Sequence, residues 1–386
     1  MMTVLTSRQI LDRLIGFPTV SRDSNLDLVD WLEDYLSGHG VRCGRHWNED
    51  RRKAALIAHA GPWTGGAVVL SGHSDVVPVD GQAWTSDPWT LTERDGRLYG
   101  RGTCDMKGFV ALAVWAVVEA QRRGVARPVQ LALSHDEEVG CTGALPMIQT
   151  LRRTFPAGKI ALIGEPSRMK VITGHKGGAG FLVHVKGYEV HSSLLPEGVS
   201  AIMEGARLIG WLNDRNAAIQ AAPRLPVGAR FHPPFTTLHV GRIEGGTAHN
   251  ITAAECRFAV EIRCVPDDDL EGHARAFRDE ALRLDAALKA RRPAEGVDLE
   301  RFFDVPALRP EGDGAAEALA CALTGENGTG VVAYGTEAGQ FQDAGYSAVV
   351  CGPGDIAQAH QADEYLEIAE FQAGQRFMER LLERLG

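Results

Sequence analysis

Three short apolar runs, residues 67–70, 129–133 and 160–163, constrain the fold more than any other feature, because they are apolar almost throughout. A strand that is apolar on both sides needs both faces covered, which a hairpin with one wet face does not provide. A helical segment, Lys107–Arg123, lies between the first two runs, and residues 331–334 and 348–351 look like two further strands of the same kind. Strands interleaved with helices in this way specify an α/β fold, with a mostly parallel sheet flanked by helices. Near the start, Ser24 and Asp27 have the spacing of a capping box, which predicts a helix running to about Leu36.

The middle of the chain has a different rhythm. Residues 180–185 are strand-like, with Phe181, Val183 and Val185 alternating with other residues, and 200–213 are helical. Alternating strands follow at 237–243 and 256–264, then a long helix at 270–290 and a last strand at 297–303. The order β-α-β-β-α-β is the split, ferredoxin-like unit. It interrupts the α/β pattern, so the expected organisation is a main domain in two parts, 1–176 and 309–386, with an α+β domain inserted at 177–308. Residues 214–236 carry no interpretable signature.

Composition narrows the class. The chain has 386 residues, enough for more than one core, and 44% hydrophobic with 23% charged residues is the balance of a soluble globular protein. A formal net charge of −10 argues against nucleic acid and acidic membranes as partners. Residues 1–20 lack the basic start, apolar stretch and cleavage site of a signal peptide, and the longest apolar run, 109–118, is too short to span a bilayer. The cysteines at 43, 104, 141, 256, 264, 321 and 351 form no CxxC pair, which suits reduced thiols and a cytoplasmic protein.

Histidines and carboxylates recur where these strands end. Residues 67–70 lead to His73 and Asp75; Asp105 stands where the 107–123 helix begins; 129–133 lead to His135-Asp136-Glu137-Glu138; 160–163 lead to Glu165; and 348–351 lead through a Gly-Pro-Gly turn to His360. In an open α/β sheet, ligands collect beyond the carboxyl ends of the strands, so these groups are expected to converge in one cleft. Taken singly, Asp105 reads as a helix cap and Glu137-Glu138 as solvated surface. Taken together, imidazole nitrogens and carboxylate oxygens suit divalent ions of the zinc class. Two ions need a bridging carboxylate and an unligated one as base, roles that the pair Glu137-Glu138 can divide. Asp75 is placed to accept the other ring N–H of His73.

At these residues the sequence resembles the M20 metallopeptidases and, within them, the acetylornithine deacetylase branch. The resemblance is carried by Ser71-Gly72-His73-Ser74-Asp75-Val76-Val77-Pro78, Tyr99-Gly100-Arg101-Gly102 and Asp105-Met106-Lys107-Gly108-Phe109. It continues in Glu137-Glu138-Val139-Gly140-Cys141, Gly174-His175-Lys176-Gly177, Gly335-Thr336-Glu337-Ala338-Gly339 and Cys351-Gly352-Pro353-Gly354, followed by Gln358-Ala359-His360.

The resemblance implies a zinc-exopeptidase-like catalytic domain with the inserted domain serving dimerisation. It implies two Zn2+ ions per subunit, with Co2+ able to substitute, bridged by Asp105. His73 and Glu165 would hold one ion, and Glu138 and His360 the other. Glu137 would be the general base and Asp75 the orienting group for His73, and the Asp105–Met106 bond would be cis. His191 would reach the partner subunit's site in a homodimer and steady the oxyanion, while Asn250 and Arg263 would hold the substrate's carboxylate or carbonyl. The implied reaction is hydrolysis of N2-acetyl-L-ornithine to ornithine and acetate, a step of arginine biosynthesis. Succinyl-diaminopimelate desuccinylases, broad aminoacylases and dipeptidases share the metal residues and are the nearest alternatives. A non-catalytic dimeric binding module is a distant one, because every ligand and the base are present.

Overall fold

The computed structural model describes residues 3–386, so the first two residues of the 1–20 segment lie outside it. The described residues form two compact units: those up to Gly174 with Leu308–Val331 and Thr336–Gly386, and His175–Ala307 with Val332–Gly335.

The first unit is built on an eight-stranded sheet. Its strands lie in the order Arg42–Trp47, Ala54–Ala60, Val129–Ser134, Ala67–His73, Gly158–Pro166, Ser347–Gly352, Val171–His175 and Thr329–Val332. The four central strands, from Val129–Ser134 to Ser347–Gly352, run parallel. The outer pairings at Ala54–Ala60 and Val171–His175 are antiparallel, which the apolar pattern alone does not distinguish. Ala67–His73 and Val129–Ser134 are buried along their whole length, as strands covered on both faces must be. The helix Lys107–Arg123 makes the crossover between them and ends at Gly124, whose left-handed φ of 65° lets its N–H close on Ala120.

One close approach ties this helix to the neighbouring strand. A Cβ on Gly164 would lie 1.9 Å from the Phe109 ring, so only glycine lets the ring seat there, one residue before Glu165. Helix and strand are thereby locked together beneath the strand's carboxyl end.

Two local expectations change. The helix near the start is Leu26–Gly38, and Asn25, not Ser24, occupies its cap position without a side-chain capping bond. Asn25 instead ties its amide to Ala54, donating to the carbonyl at 2.9 Å and accepting from the N–H at 3.0 Å. The strand read at 331–334 is Thr329–Val332, because the chain then turns into Gly335-Thr336.

The second unit runs Gly177–Lys186, Ala201–Ala221, Thr237–Gly245, Glu255–Cys264, Leu270–Arg291 and Gly296–Val305, strand-helix-strand-strand-helix-strand. Its four strands lie in the order Thr237–Gly245, Glu255–Cys264, Gly177–Lys186, Gly296–Val305, every pair antiparallel. Phe181, Val183, Val185, Phe258, Val260 and Ile262 point to one face and pack with Leu208, Leu212, Phe277 and Leu284 of the two helices. Leu182, which alternates with them, is exposed. The uninterpreted stretch 214–236 belongs to this unit: the helix continues through Ala221, and Asp267 accepts the N–H groups of Val227 and Gly228 at 2.7 and 2.9 Å. Among the described residues no helix is long and apolar enough to cross a membrane.

Candidate metal centre

His73 is the last residue of its strand, Glu165 the penultimate residue of the adjacent parallel strand, and Glu137-Glu138 follow the strand on the other side. Asp105 precedes the helix start, and His360 follows the Ile356–Gln358 turn after Ser347–Gly352. Five of the six therefore come from carboxyl ends of parallel strands or the loops just beyond them, and Asp105 from the segment between the antiparallel strand Arg97–Tyr99 and the helix; all lie within the first unit.

Asp105 is the hub. Its Oδ1 lies 3.0 Å from His73 Nε2 and its Oδ2 3.2 Å from His360 Nε2. Glu165 Oε1 lies 3.7 Å from His73 Nε2, and Glu138 Oε2 3.0 Å from His360 Nε2. Asp105 thus gives one oxygen to each of two histidines, and each histidine has a second carboxylate of its own. Asp105 does not cap the helix: Met106 holds the cap position, and the Asp105–Met106 bond is cis.

Asp75 is placed differently from the sequence expectation. His73 Nδ1 lies 2.8 Å from the Asp75 main-chain oxygen, while the Asp75 carboxylate is 3.7 Å away. That carboxylate accepts from Ser21 Oγ at 2.6 Å and from the N–H groups of Glu137 and Glu138 at 3.2 and 3.4 Å. The physical reason is reach: after a strand the backbone carbonyl is nearest the ring, and the carboxylate extends past it to the Glu137 loop. Asp75 therefore fixes His73 through its backbone and the Glu137-Glu138 pair through its side chain.

The residues fit divalent ions. A carbonyl only accepts, so His73 Nδ1 carries the proton and Nε2 is directed to the carboxylates as donor or ligand. Asp105, Glu137, Glu138, Glu165 and Glu337 crowd the same region, and buried carboxylates without cations are costly. Glu138 Oε1 is buried with no hydrogen-bond partner among the described residues. Ligand atoms of His73, Glu137 and Glu165, and of His73, Asp105 and Glu138, lie within 4.8 Å of one another. These groups can hold metal ions.

Electrostatics say the same. Burial together with neighbouring negative charge raises Glu137, Glu138 and Glu165 above the usual carboxylate range. Burial raises Glu337 to about 7 despite its bonds from Ser134 and Ser71. Hydrogen bonds to Asp105 and Glu138 raise His360 to about 10. Each of these groups binds its proton more tightly folded than unfolded, so each stabilises the metal-free protein at low pH and loses that contribution as pH rises through its folded value. The chelated protein is expected to fall steadily in Tm from about pH 5 to about pH 9, and a divalent ion to remove most of the fall. Differential scanning fluorimetry with and without chelator checks this, and a flat or rising profile for the metal-free protein would contradict it.

The supporting residues were the ones sequence reasoning missed. Glu364 accepts from the N–H groups of Cys104 and Asp105 at 2.9 and 3.0 Å and pairs with Arg101 at 2.6 Å, both side chains 1% exposed. Arg101 also donates to Gln82 Oε1 at 2.6 Å, and Gln82 donates to the His360 carbonyl at 2.9 Å. The bond from Cys104 to Glu364 joins residues 260 apart in sequence and that from Gln82 to His360 residues 278 apart, so no local pattern announces them.

The second unit holds the remaining named residues. His191 and Asn250 are exposed and adjacent: Ser192 donates to the Asn250 carbonyl at 2.8 Å, and His191 pairs with Ile251. His191 Nδ1 lies 2.8 Å from Ser193 Oγ and 3.3 Å from the Ser193 main-chain nitrogen. Arg263 is partly exposed beside Glu261, 2.5 Å away. It lies at the opposite end of the ten-residue Glu255–Cys264 strand, and the eight residue steps from Glu255 to Arg263 correspond to roughly 26 Å.

The family model for peptidase family M20/M25/M40 matches residues 69–384. The chain is 35% identical over 380 residues to an acetylornithine deacetylase of Myxococcus xanthus, covering 95% of this chain and 94% of that one. It resembles the M20 family metallo-carboxypeptidase Sso-CP2 from Sulfolobus solfataricus with a TM-score of 0.79 at 16% identity, over 98% and 99% of the two chains. It also resembles the YXEP protein of Bacillus subtilis, a dinuclear metal binding peptidase, with a TM-score of 0.63 at 14% identity, over 98% and 97%. The two structural likenesses concern the fold; the family rests on the matched model and the sequence identity. The chain belongs to peptidase family M20/M25/M40 and is a hydrolase of that family.

Proposed function

We propose that this hydrolase removes an acyl group from the α-nitrogen of an amino acid, with N2-acetyl-L-ornithine as its substrate. The observation that carries the chemistry is a carboxylate, Asp105, facing one histidine with each oxygen, beside a carboxylate, Glu137, that neither histidine bonds. The choice of substrate follows the deacetylase relative, which is similar along nearly its full length.

In this reading Asp105 would be shared between two divalent ions, zinc in the cell and replaceable by cobalt, and His73 and Glu165 would help hold one ion and Glu138 and His360 the other. When bound, the ions supply Lewis acidity that makes a water easier to deprotonate and steadies negative charge on the carbonyl oxygen. Glu137 accepts the proton from the attacking water and returns it to the leaving amine. Desolvation raises its proton affinity, which suits a group that must take and give a proton near neutral pH. Asp75 holds the main chain of Glu137 and Glu138 in place. His191 Nε2–H donates to the developing oxyanion, and Asn250 and Arg263 hold the substrate's carboxylate or carbonyl.

The separation of these last residues argues for a dimer. His191 and Asn250 lie together, roughly 26 Å of strand away from Arg263, so one chain cannot bring all three to one amide. The ferredoxin-like unit at 177–308 then serves as the dimerisation domain, giving His191 to the partner subunit's site. The working protein in this reading is a cytoplasmic homodimer acting on a small molecule.

Two experiments test the proposal. Rates on N-acetylornithine, succinyl-diaminopimelate, N-acetylmethionine and a dipeptide, each after chelation and after adding back zinc or cobalt, rank the substrates; the highest kcat/KM on a substrate other than acetylornithine overturns the choice made here. Mixing inactive His191→Ala with inactive Arg263→Ala protein is expected to restore activity, because one site of a mixed dimer then has both intact residues. No recovery in demonstrated mixed dimers would contradict the sharing of sites.

A further inference from the structure

We infer that Cys141 is a positioning residue for Glu137, its thiol holding the carboxylate in the orientation needed for proton transfer; this rests on the role proposed for Glu137. Cys141 Sγ lies 3.1 Å from Glu137 Oε1, and the thiol is the donor because an ionised carboxylate only accepts. The cysteine is 3% exposed, so water does not compete for the bond. Among the described residues no other side chain donates to this carboxylate at hydrogen-bond distance.

The backbone around it is fixed on every side. Gly140 and Cys141 N–H groups both donate to the Glu137 carbonyl at 2.9 Å, and Thr142 N–H to Asp136 at 3.2 Å. From outside the turn, Gln340 Nε2 donates to the Cys141 carbonyl at 3.1 Å. Cys141 adopts a φ of 55°, in the left-handed region where glycine is at ease and other residues are conformationally disfavoured. A turn that asked only for this backbone would be served better by glycine. The side chain that stands there instead reaches the base.

A rotating carboxylate spends less time aligned with its proton donor, and misalignment at a reacting centre costs turnover more than binding. The thiol contributes that alignment without bringing a charge to a site already crowded with carboxylates.

The test uses full-length, metal-loaded Cys141→Ala, Cys141→Gly and Cys141→Ser proteins, with Glu137→Gln alongside, on the best N-acyl amino acid of the panel above. Cys141→Ala and Cys141→Gly are expected to lower kcat about tenfold with KM within about twofold and metal content unchanged, and Cys141→Ser to recover most of the loss. Cys141→Gly also relaxes the backbone, so its Tm is expected to hold or rise while kcat falls; a purely structural cysteine would move both together. The infrared S–H stretch of Cys141, assigned by its loss in Cys141→Ser, is expected to shift to higher frequency in Glu137→Ala. Wild-type kcat in Cys141→Ala beside an inactive Glu137→Gln, or an S–H band unmoved in Glu137→Ala, overturns the thiol's role. An active Glu137→Gln overturns the base itself, so the two failures are told apart.

Discussion

Replacing Glu137 by glutamine is expected to lower kcat by about 10²–10⁴-fold while the protein keeps its metal and its KM. The side chain keeps its size, but an amide cannot take a proton from the attacking water. The residues that face the two histidines, Asp105, Glu165 and Glu138, are untouched. The neighbouring variant behaves oppositely. Glu138 Oε2 sits 3.0 Å from His360, and its Oε1 is buried with no hydrogen-bond partner among the described residues, which suits the ligand role proposed for it. Glu138→Gln is expected to bind fewer ions, as measured by elemental analysis after dialysis, and excess zinc to restore part of its activity. The two adjacent glutamates are therefore separable: one variant is full of metal and slow, the other is depleted and rescued by metal. Near-normal turnover in Glu137→Gln would remove that residue from its role.

What the sequence discloses follows from the range over which each feature acts. The central parallel strands were legible because burial on both faces leaves apolar runs that local reading detects. Arg42–Trp47 and Val171–His175 were not, since the first is an edge strand that is only partly buried and the second, though buried, is a short stretch ending in Thr173-Gly174-His175 rather than an apolar run. The six residues of the centre were legible because apolar runs deliver them in order, Asp105 at the start of a helix and the others just beyond strand ends. Asp75 was assigned by spacing to the correct neighbour, but spacing does not reveal whether backbone or side chain makes the contact. Glu364 and Gln82 left no local signal, and Arg101 was read only as part of the Tyr99-Gly100-Arg101-Gly102 motif with no role attached, although Arg101 and Glu364 are buried. A buried ion pair between distant positions has no periodicity to betray it. Cys141 read as an ordinary small buried side chain, and only its left-handed backbone and the carboxylate at 3.1 Å set it apart.

The buried pair carries the second large expectation. Arg101 and Glu364 have exchanged water for each other, and losing one partner leaves the other charge, or its unmet hydrogen bonds, in the interior. Arg101→Met is expected to destabilise the protein by about 3–5 kcal/mol, read from urea denaturation followed by fluorescence. The double variant Arg101→Met, Glu364→Leu removes both charges and is expected to recover much of that stability, since an apolar pair of similar volume can replace a buried ion pair. Metal binding is expected not to recover with it. Glu364 Oε1 also accepts the N–H groups of Cys104 and Asp105, and Arg101 reaches the His360 carbonyl through Gln82, so the pair frames both Asp105, the proposed shared ligand, and His360, a proposed terminal one. Without it, Asp105 and His360 lose the frame that sets their separation, and affinity for the second ion is expected to fall about 10- to 100-fold in calorimetric titration. Stability and affinity should thus part company in the double variant. If both returned to wild-type values together, the pair would be a packing device only, and its bonds to the Asp105 main chain would have no part in shaping the centre.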